Sequence, residues 1–371
     1  MRLKYNCPEC GTPLGYEGLC WKCKAEKERQ EALAWTAEEI AAKQRALMDN
    51  LEALEEFEDP EYTYFCNLLE YHDGITPAIQ RKALEQKIYW PSEIYYHAPE
   101  DVGEELCARL LRTESSQEAA NLMCCAAMQG GDKAFRTMLE LERSPRPWRK
   151  GLYVGAAGYA ETGGWTFDGE GNRIDLNFGV CYPMIKGREG EESPVRIGRL
   201  RDDTCPHCGG RMADMLVLDG RDERLKFLGI DGILTAACCP NCVGFLEDGP
   251  LNRYTLDGGS EIISSQLVKG LGKWKNYMRD EDYAMLQNNN LVLGKNPVPL
   301  FYGAFSEDVD TVGGFANWVQ DAEYTRCPDC GRPMKYLAQI QWATVADCME
   351  GTLYIEFCPG CRIVSMRHQQ T

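Results

Sequence analysis

Twelve cysteines in six Cys-x-x-Cys pairs constrain this chain more than any other feature. Each pair presents two thiols on one tight turn, and two such turns complete a tetrahedral metal shell. The pairs form three sets: Cys7/Cys10 with Cys20/Cys23, Cys205/Cys208 with Cys239/Cys242, and Cys327/Cys330 with Cys358/Cys361. Each set opens on nearly the same phrase, Cys7-Pro-Glu-Cys-Gly, Cys205-Pro-His-Cys-Gly and Cys327-Pro-Asp-Cys-Gly. Proline stiffens the turn between ligands, and the glycine after the second cysteine permits positive φ, so backbone N–H groups can face the sulfurs. The expectation is three structural Zn2+ sites of zinc-ribbon type. Four thiolates leave no open coordination position, so function is to be sought in what the ribbons hold in shape.

Seven cysteines remain: Cys66, Cys107, Cys124, Cys125, Cys181, Cys238 and Cys348. The total of 19 is odd, and the N-terminus, Met-Arg-Leu-Lys-Tyr-Asn-Cys, has no apolar signal region. No run approaches the eighteen apolar residues of a membrane span. Reduced thiols, a cytoplasmic location and no membrane partner follow as expectations, with the seven cysteines read as small buried hydrophobes. The net charge of −17 argues against nucleic acid, which needs Lys and Arg against phosphate. The imbalance is also local. From Ala46 to Gln80 there are nine acids, Asp49, Glu52, Glu55, Glu56, Glu58, Asp59, Glu61, Glu70 and Asp73, and no Lys or Arg. Such a run is either a solvated face or a docking surface for a basic partner, and Glu55, Glu56, Glu58 and Asp59 are the candidate partner-binding residues.

The fold class expected is α+β and multidomain: a zinc ribbon over residues 1–23, an α-helical region of αα-hairpin type over 24–147, and β-rich zinc-ribbon-containing segments over 148–250 and 251–371. Leu33, Ile40, Leu47 and Leu54 recur every seven residues, and Thr36 with Glu39 has capping-box spacing where the helix can restart. Further helices are bounded by Gly74, Thr76-Pro77, Pro99, Ser115 or Ser116, Gly130-Gly131 and Pro145, with Asp132 as the expected cap of the last. After Trp148 the chain turns rich in Gly, aromatic and β-branched residues, with hairpin turns at Asp168–Asn172 and Asp257-Gly258-Gly259. The Cys205 and Cys327 sets form an internal duplication, 122 residues apart: a Cys-Pro-x-Cys-Gly-x-x-Met knuckle, a strand-like stretch and a closing Cys-Pro-x-Cys. The stretch is too long for a bare ribbon, so each metal is expected to staple the end of a larger sheet.

Little in the sequence points to catalysis. The four histidines are His72, His97, His207 and His368, one of them inside a zinc knuckle. Gly270-Leu271-Gly272-Lys273 lacks the spacing and following Ser/Thr of a phosphate loop. Trp165, Trp274, Trp318 and Trp342 could line a groove, but read rather as cores of small sheets. The chain is expected not to be an enzyme.

The C-terminal stretch Gly313-Gly314-Phe315-Ala316-Asn317-Trp318-Val319-Gln320-Asp321, the Cys327 knuckle, Gln339-Ile340, the Cys358 pair and the ending His368-Gln369-Gln370-Thr371 resemble the YwqG-like family of bacterial proteins. The resemblance is most specific over residues 311–371 and looser over the duplicated knuckle and Trp148–Asp175. Ala316 stands where the family's Gly-Gly-x-Pro-x-Trp has proline. Members of the family include immunity proteins encoded beside polymorphic toxins, among them Rhs toxins delivered by type VI secretion. The resemblance therefore implies an immunity protein, or antitoxin, that binds a cognate toxin by multi-domain contacts in a 1:1 heterocomplex. A basic toxin suits the acidic run, and an ADP-ribosyltransferase and a nuclease remain equally open. The alternative from the ribbons is a zinc-ribbon adaptor in transcription or RNA metabolism, which the charge opposes. The helical N-terminal half lies outside the resemblance.

Overall fold

The computed structural model describes residues 4–72, 74–247, 249–271, 275–306, 308–346 and 348–370. Asp73, Gly272, Lys273, Trp274 and Thr371, named above, lie outside these residues. The fold is α+β, as the sequence pattern predicts.

The N-terminal ribbon is a short ladder of β1 (Tyr5–Asn6) and β2 (Pro13–Leu14). Cys20 then caps α1 (Trp21–Leu33), its sulfur accepting from the Cys23 N–H. Thr36 and Glu39 form the predicted capping box of α2 (Ala37–Asp49). The seven-residue seam is thereby broken: Thr36 takes an extended backbone and Leu33 is left exposed, while Leu47, Leu51 and Leu54 are buried in the core and Ile40 packs half-buried against it. Past Asn50 the chain tightens to a 3-10 turn over Leu51–Glu55, so the acidic segment is a turn and loop, not a continuous helix.

Five further helices complete the N-terminal half: α3 (Pro60–Tyr71), α4 (Pro77–Gln86), α5 (Glu100–Arg112), α6 (Ser116–Gln129) and α7 (Asp132–Arg143). Ser115 caps α6 as expected, whereas Gly131 takes the cap position of α7 and Asp132 stands one place inside. The buried face of these helices, with Phe65, Leu68, Ile79, Leu106, Leu122 and Met138, does not end at residue 147. The same core runs on through Trp148, α8 (Ala156–Glu161) and the hairpin of β3 (Trp165–Phe167) and β4 (Arg173–Asp175), and takes in Phe301 and Phe315. Asp168 shapes that hairpin, one carboxylate oxygen accepting from the N–H groups of Glu170, Gly171 and Asn172 at 3.0, 2.9 and 2.8 Å.

Besides the β3–β4 hairpin, the described residues of the β half form two larger sheets. The strands are β5 (Cys181–Lys186), β6 (Val195–Arg196), β7 (Arg199–Thr204), β8 (Arg211–Asp219), β9 (Ile233–Cys238), β10 (Leu251–Tyr254), β11 (Ser260–Ser264), β12 (Leu291–Leu293), β13 (Asp310–Gly313), β14 (Lys335–Gln341), β15 (Thr352–Cys358) and β16 (Ile363–Gln369). One sheet runs β11-β10-β16-β15-β14-β13-β5-β12. In the other, β8 pairs with β6, β7 and β9. Leu216, Leu218, Leu234 and Ala236 of the smaller sheet share one core with Ile340, Leu353, Ile355 and Phe357 of the larger. Segments 148–250 and 251–371 are accordingly not separate: β5 lies between β12 and β13, because apolar faces from both segments bury against each other.

The duplication extends to the register. In the first unit Ala213 pairs with Cys238, Asp214 with Ala237 and Leu216 with Ala236; in the second Lys335 pairs with Phe357, Tyr336 with Glu356 and Ala338 with Ile355. Both ladders skip one residue at the same place, between Asp214 and Leu216 and between Tyr336 and Ala338. A bulge shared at one position is a feature of the repeated backbone rather than a local defect. The units diverge between their paired strands, with a 3-10 helix over Glu223–Leu228 in the first and a short α-helix over Trp342–Val345 in the second, and again after the closing cysteines, where the second continues directly as β16 while the first makes a 3-10 turn over Val243–Phe245.

Candidate metal centres and the motif cleft

Each knuckle folds on itself in the same way. The N–H of the glycine returns to the first cysteine carbonyl, Gly11 to Cys7 at 2.9 Å, Gly209 to Cys205 at 2.9 Å and Gly331 to Cys327 at 2.8 Å. All three glycines sit at φ between 70° and 75°, where a side chain would be strained. The predicted sets assemble: in each, the four sulfurs lie within 4.8 Å of one another and can hold a metal ion. Sulfur–sulfur distances of 3.5 Å (Cys10–Cys20), 3.8 Å (Cys205–Cys242), 3.6 Å (Cys208–Cys239) and 3.8 Å (Cys330–Cys358) recur across the sets. A tetrahedron with metal–sulfur bonds of about 2.3 Å has edges of about 3.8 Å, so the donor sets fit a four-thiolate centre. Backbone N–H groups face the sulfurs as the glycine argument requires, from Cys20 to Cys7 at 3.3 Å, His207 to Cys205 at 3.4 Å and Gly210 to Cys208 at 3.4 Å. These donors favour thiolate, and the hydrogen bond from the Cys20 N–H is the largest influence that brings the Cys7 thiol down to about 6.

The sets differ in cover. Cys205, Cys239 and Cys242 are buried, whereas in the third set only Cys327 is buried and Cys330 is exposed. Of the other seven cysteines, Cys66, Cys107, Cys125, Cys181 and Cys238 are buried as expected, Cys124 is half-buried and Cys348 is exposed.

The Gly313–Asp321 motif forms a loop laid across the polar face of the larger sheet. Gly313 and Gly314 have φ of 76° and 73°, and a Cβ on them would sit 2.2 Å from the Val180 carbonyl and 2.6 Å from that of Leu300. Beyond them the loop is fixed by buried side chains of the sheet. Gln339 accepts from the Asn317 N–H at 2.8 Å while its amide donates to the Gly303 and Val309 carbonyls. The Tyr354 hydroxyl donates to the Asn317 carbonyl and accepts from the Val319 N–H, and Gln369 accepts from the Gln320 N–H at 3.1 Å. The motif residues Gln339 and Gln369 thus act as a bed for the loop.

The other side of the loop faces the helices across a cleft of about 490 Å³, lined by Phe315, Trp318 and Asp321 of the motif and by Tyr62, Trp90, Glu93 and Cys124 opposite. Trp165 and Trp342 are fully buried as expected, but Trp318 lines this cleft, the groove role that ranked second to a core role in the sequence. Glu93 was missed as well. Its one sequence signal is an acid beside an aromatic in Trp90-Pro91-Ser92-Glu93.

Next to the cleft lies the acidic segment. Glu52, Glu55, Glu56 and Glu58 are exposed and Asp59 is half-buried. Glu70 does not belong to that face: it is buried and accepts from the Phe305 N–H and the Ser306 hydroxyl, with burial pushing its carboxyl up to about 7. Phe57, 66% exposed, projects among the acids and packs edge-on to Tyr62 at 5.0 Å and Trp90 at 5.2 Å.

The histidines take structural positions. His72 bonds the Ala32 carbonyl and stacks on Trp35, His97 stacks on Tyr96, His207 bonds the Ser265 carbonyl, and His368 accepts from the Trp342 indole. Among the described residues no helix is long and apolar enough to cross a membrane.

Among curated proteins, the chain is similar to the uncharacterized protein YpfL of Salmonella typhimurium, 23% identical over 300 residues that span 77% of this chain and 67% of the relative. No family model matches the chain, and no solved structure matches it.

Proposed function

We propose that this protein is an immunity protein of the YwqG-like type: a cytoplasmic, zinc-stapled binding protein that neutralises a cognate basic toxin by holding it in a 1:1 complex. The observation that carries the reading is the acidic and aromatic face. Four exposed glutamates surround Phe57, and Phe57 rests on Trp90, 42% exposed, and Tyr62. An aromatic anchor within a charged rim is the anatomy of a binding hot spot, and the negative field speeds capture of a positive partner. The resemblance of the Gly313–Asp321 loop supports the family, and the four-sulfur geometry supports zinc as the metal. Zinc would act here as a cross-link, since four thiolates fill its shell.

The test is to purify the tagged protein from its native cells and identify what accompanies it. The expected result is one toxin-like polypeptide at near-equal stoichiometry whose toxicity the pure protein abolishes. Reversal of Glu55, Glu56, Glu58 and Asp59 to lysine should then slow association by about tenfold or more at low salt, and an unchanged on-rate would remove this face from the interface. Recovery of polymerase, ribosome or RNA in place of a toxin would favour the adaptor reading.

A further inference from the structure

We infer that the cleft between the helices and the Gly313–Asp321 loop is a receptor for the guanidinium group of an arginine side chain presented by a polypeptide partner. The inference deepens the binding reading above and rests on it for the source of the arginine.

The walls are aromatic. Tyr62 and Trp90 come from the helical side, and Phe305, Phe315 and Trp318 from the β side. Two carboxylates, Glu93 and Asp321, stand on opposite sides, and none of the lining residues is Lys, Arg or His. The volume, about 490 Å³, falls in the range of roughly 300–1,000 Å³ that accommodates a small bound group.

Glu93 is the group that calls for a ligand. It is half-buried, its hydrogen bond from the Ser92 hydroxyl is long at 3.4 Å, and it makes no ion pair among the described residues. Burial pushes its carboxyl above the usual range. The field of both acids converges inside the cleft: the Cys124 thiol is pushed up to about 11, chiefly by burial, with the Glu93 and Asp321 carboxylates adding to it. A desolvated carboxylate without a cation is costly, and a bound cation relieves that cost. Aromatic faces add cation–π attraction, which is strongest where water is excluded. Between the two natural cations, arginine fits better than lysine, because its planar guanidinium stacks on rings while its N–H fork meets carboxylates.

The cleft is also continuous with the acidic face. Tyr62 and Trp90 belong to the cleft and also carry Phe57, which sits among the exposed glutamates. A basic partner drawn to Glu55–Asp59 therefore finds the cleft beside its point of capture.

The probe is Nα-acetyl-L-arginine amide, titrated by calorimetry into the full-length, metal-loaded protein, with the citrulline amide as a neutral isostere. Saturable binding of the arginine amide is expected, about tenfold or more weaker for citrulline and for Glu93→Gln. Asp321→Asn, at an exposed position, should weaken binding in the same direction and serves as the second variant should Glu93→Gln fail to fold. The inference is overturned if arginine and citrulline bind alike, if the folded wild type shows no saturable binding, or if both folded variants bind as the wild type does. Failure of the probe while a toxin still copurifies sinks the cleft alone. Binding of the probe while no polypeptide partner is found keeps the cleft and sinks the immunity reading.

Discussion

The two duplicated units carry the same ladder and bulge, yet they treat the one acid on the bulge rung in opposite ways. In the first unit the acid is Asp214, opposite Ala237; in the second it is Glu356, opposite Tyr336, on the other strand of the pair. Asp214 is surrounded by cationic donors. It is 1% exposed and takes hydrogen bonds from Arg199 at 2.8 and 2.5 Å and from Arg201 at 3.2 Å. Glu356 is fully buried with neutral donors, the Thr325 N–H at 2.8 Å and the Ser365 hydroxyl at 3.2 Å, and its other oxygen has no partner. Burial pushes its carboxyl up to about 7. Duplication thus copied a backbone, while the neighbours decided which partners its buried acid meets. The first unit has β7 and its arginines against the rung; the second has the Thr325 segment before the Cys327 knuckle and β16.

Metal removal is the largest perturbation of this comparison. A structural zinc site contributes on the order of 10–16 kcal/mol in isolated peptides, more than the roughly 5–15 kcal/mol of a typical domain. Complete chelation should therefore unfold at least part of the β half, and circular dichroism that does not change would contradict it. The units should also differ in rate. The exposed Cys330 set should lose metal to a chelator before the buried Cys205 set, which native mass spectrometry of the partly stripped protein can read.

Removal of the charge on each rung follows in size. Asp214→Asn leaves two arginines facing a neutral group and should cost about 3 kcal/mol in denaturant unfolding, the low end for a broken buried pair because Arg199 stays half-solvated. A cost below about 1 kcal/mol would mean that the arginines, not the acid, organise the first unit.

Glu356→Gln should instead change the pH dependence. The carboxyl ordinarily titrates near 4.5 and in the folded chain near 7. As pH rises between these values the unfolded state gives up its proton first, so the wild-type stability from this group is full below about 4.5 and lost through about 7. The wild-type-minus-variant difference in unfolding free energy should fall by up to about 3 kcal/mol from about pH 5 to about pH 8. A flat difference would show that Glu356 is already compensated as Asp214 is. The smallest effect belongs to Tyr336→Phe, which removes a hydroxyl 3.5 Å from the Gln339 side-chain oxygen and should cost about 1 kcal/mol.

What could be read from the chain in advance follows the distance over which each feature is decided. The knuckles close within five residues, the Thr36–Glu39 box within four, and the Asp168 turn within five, so residue identity alone settles them. The seven-residue seam is interrupted where the Thr36–Glu39 box restarts the helix, as its spacing predicts, and Leu33 before the break is left outside the core. Glu70 counted as surface charge in the acidic run, yet its helix face turns it toward Phe305 and Ser306, more than two hundred residues away.

By itself the sequence determined the three four-cysteine sets, the helix caps and the duplicated knuckle–strand–knuckle plan, because thiol spacing, capping and turn chemistry act between near neighbours. Only the tertiary structure decided that residues 148–250 and 251–371 share a sheet, that the acid of one rung meets two arginines while that of the other is buried among neutral donors, and that Glu93 and Asp321 meet across an aromatic cleft. Those outcomes depend on which surfaces bury against each other. Burial is a property of the packed whole, set by apolar faces that the chain brings together from remote positions.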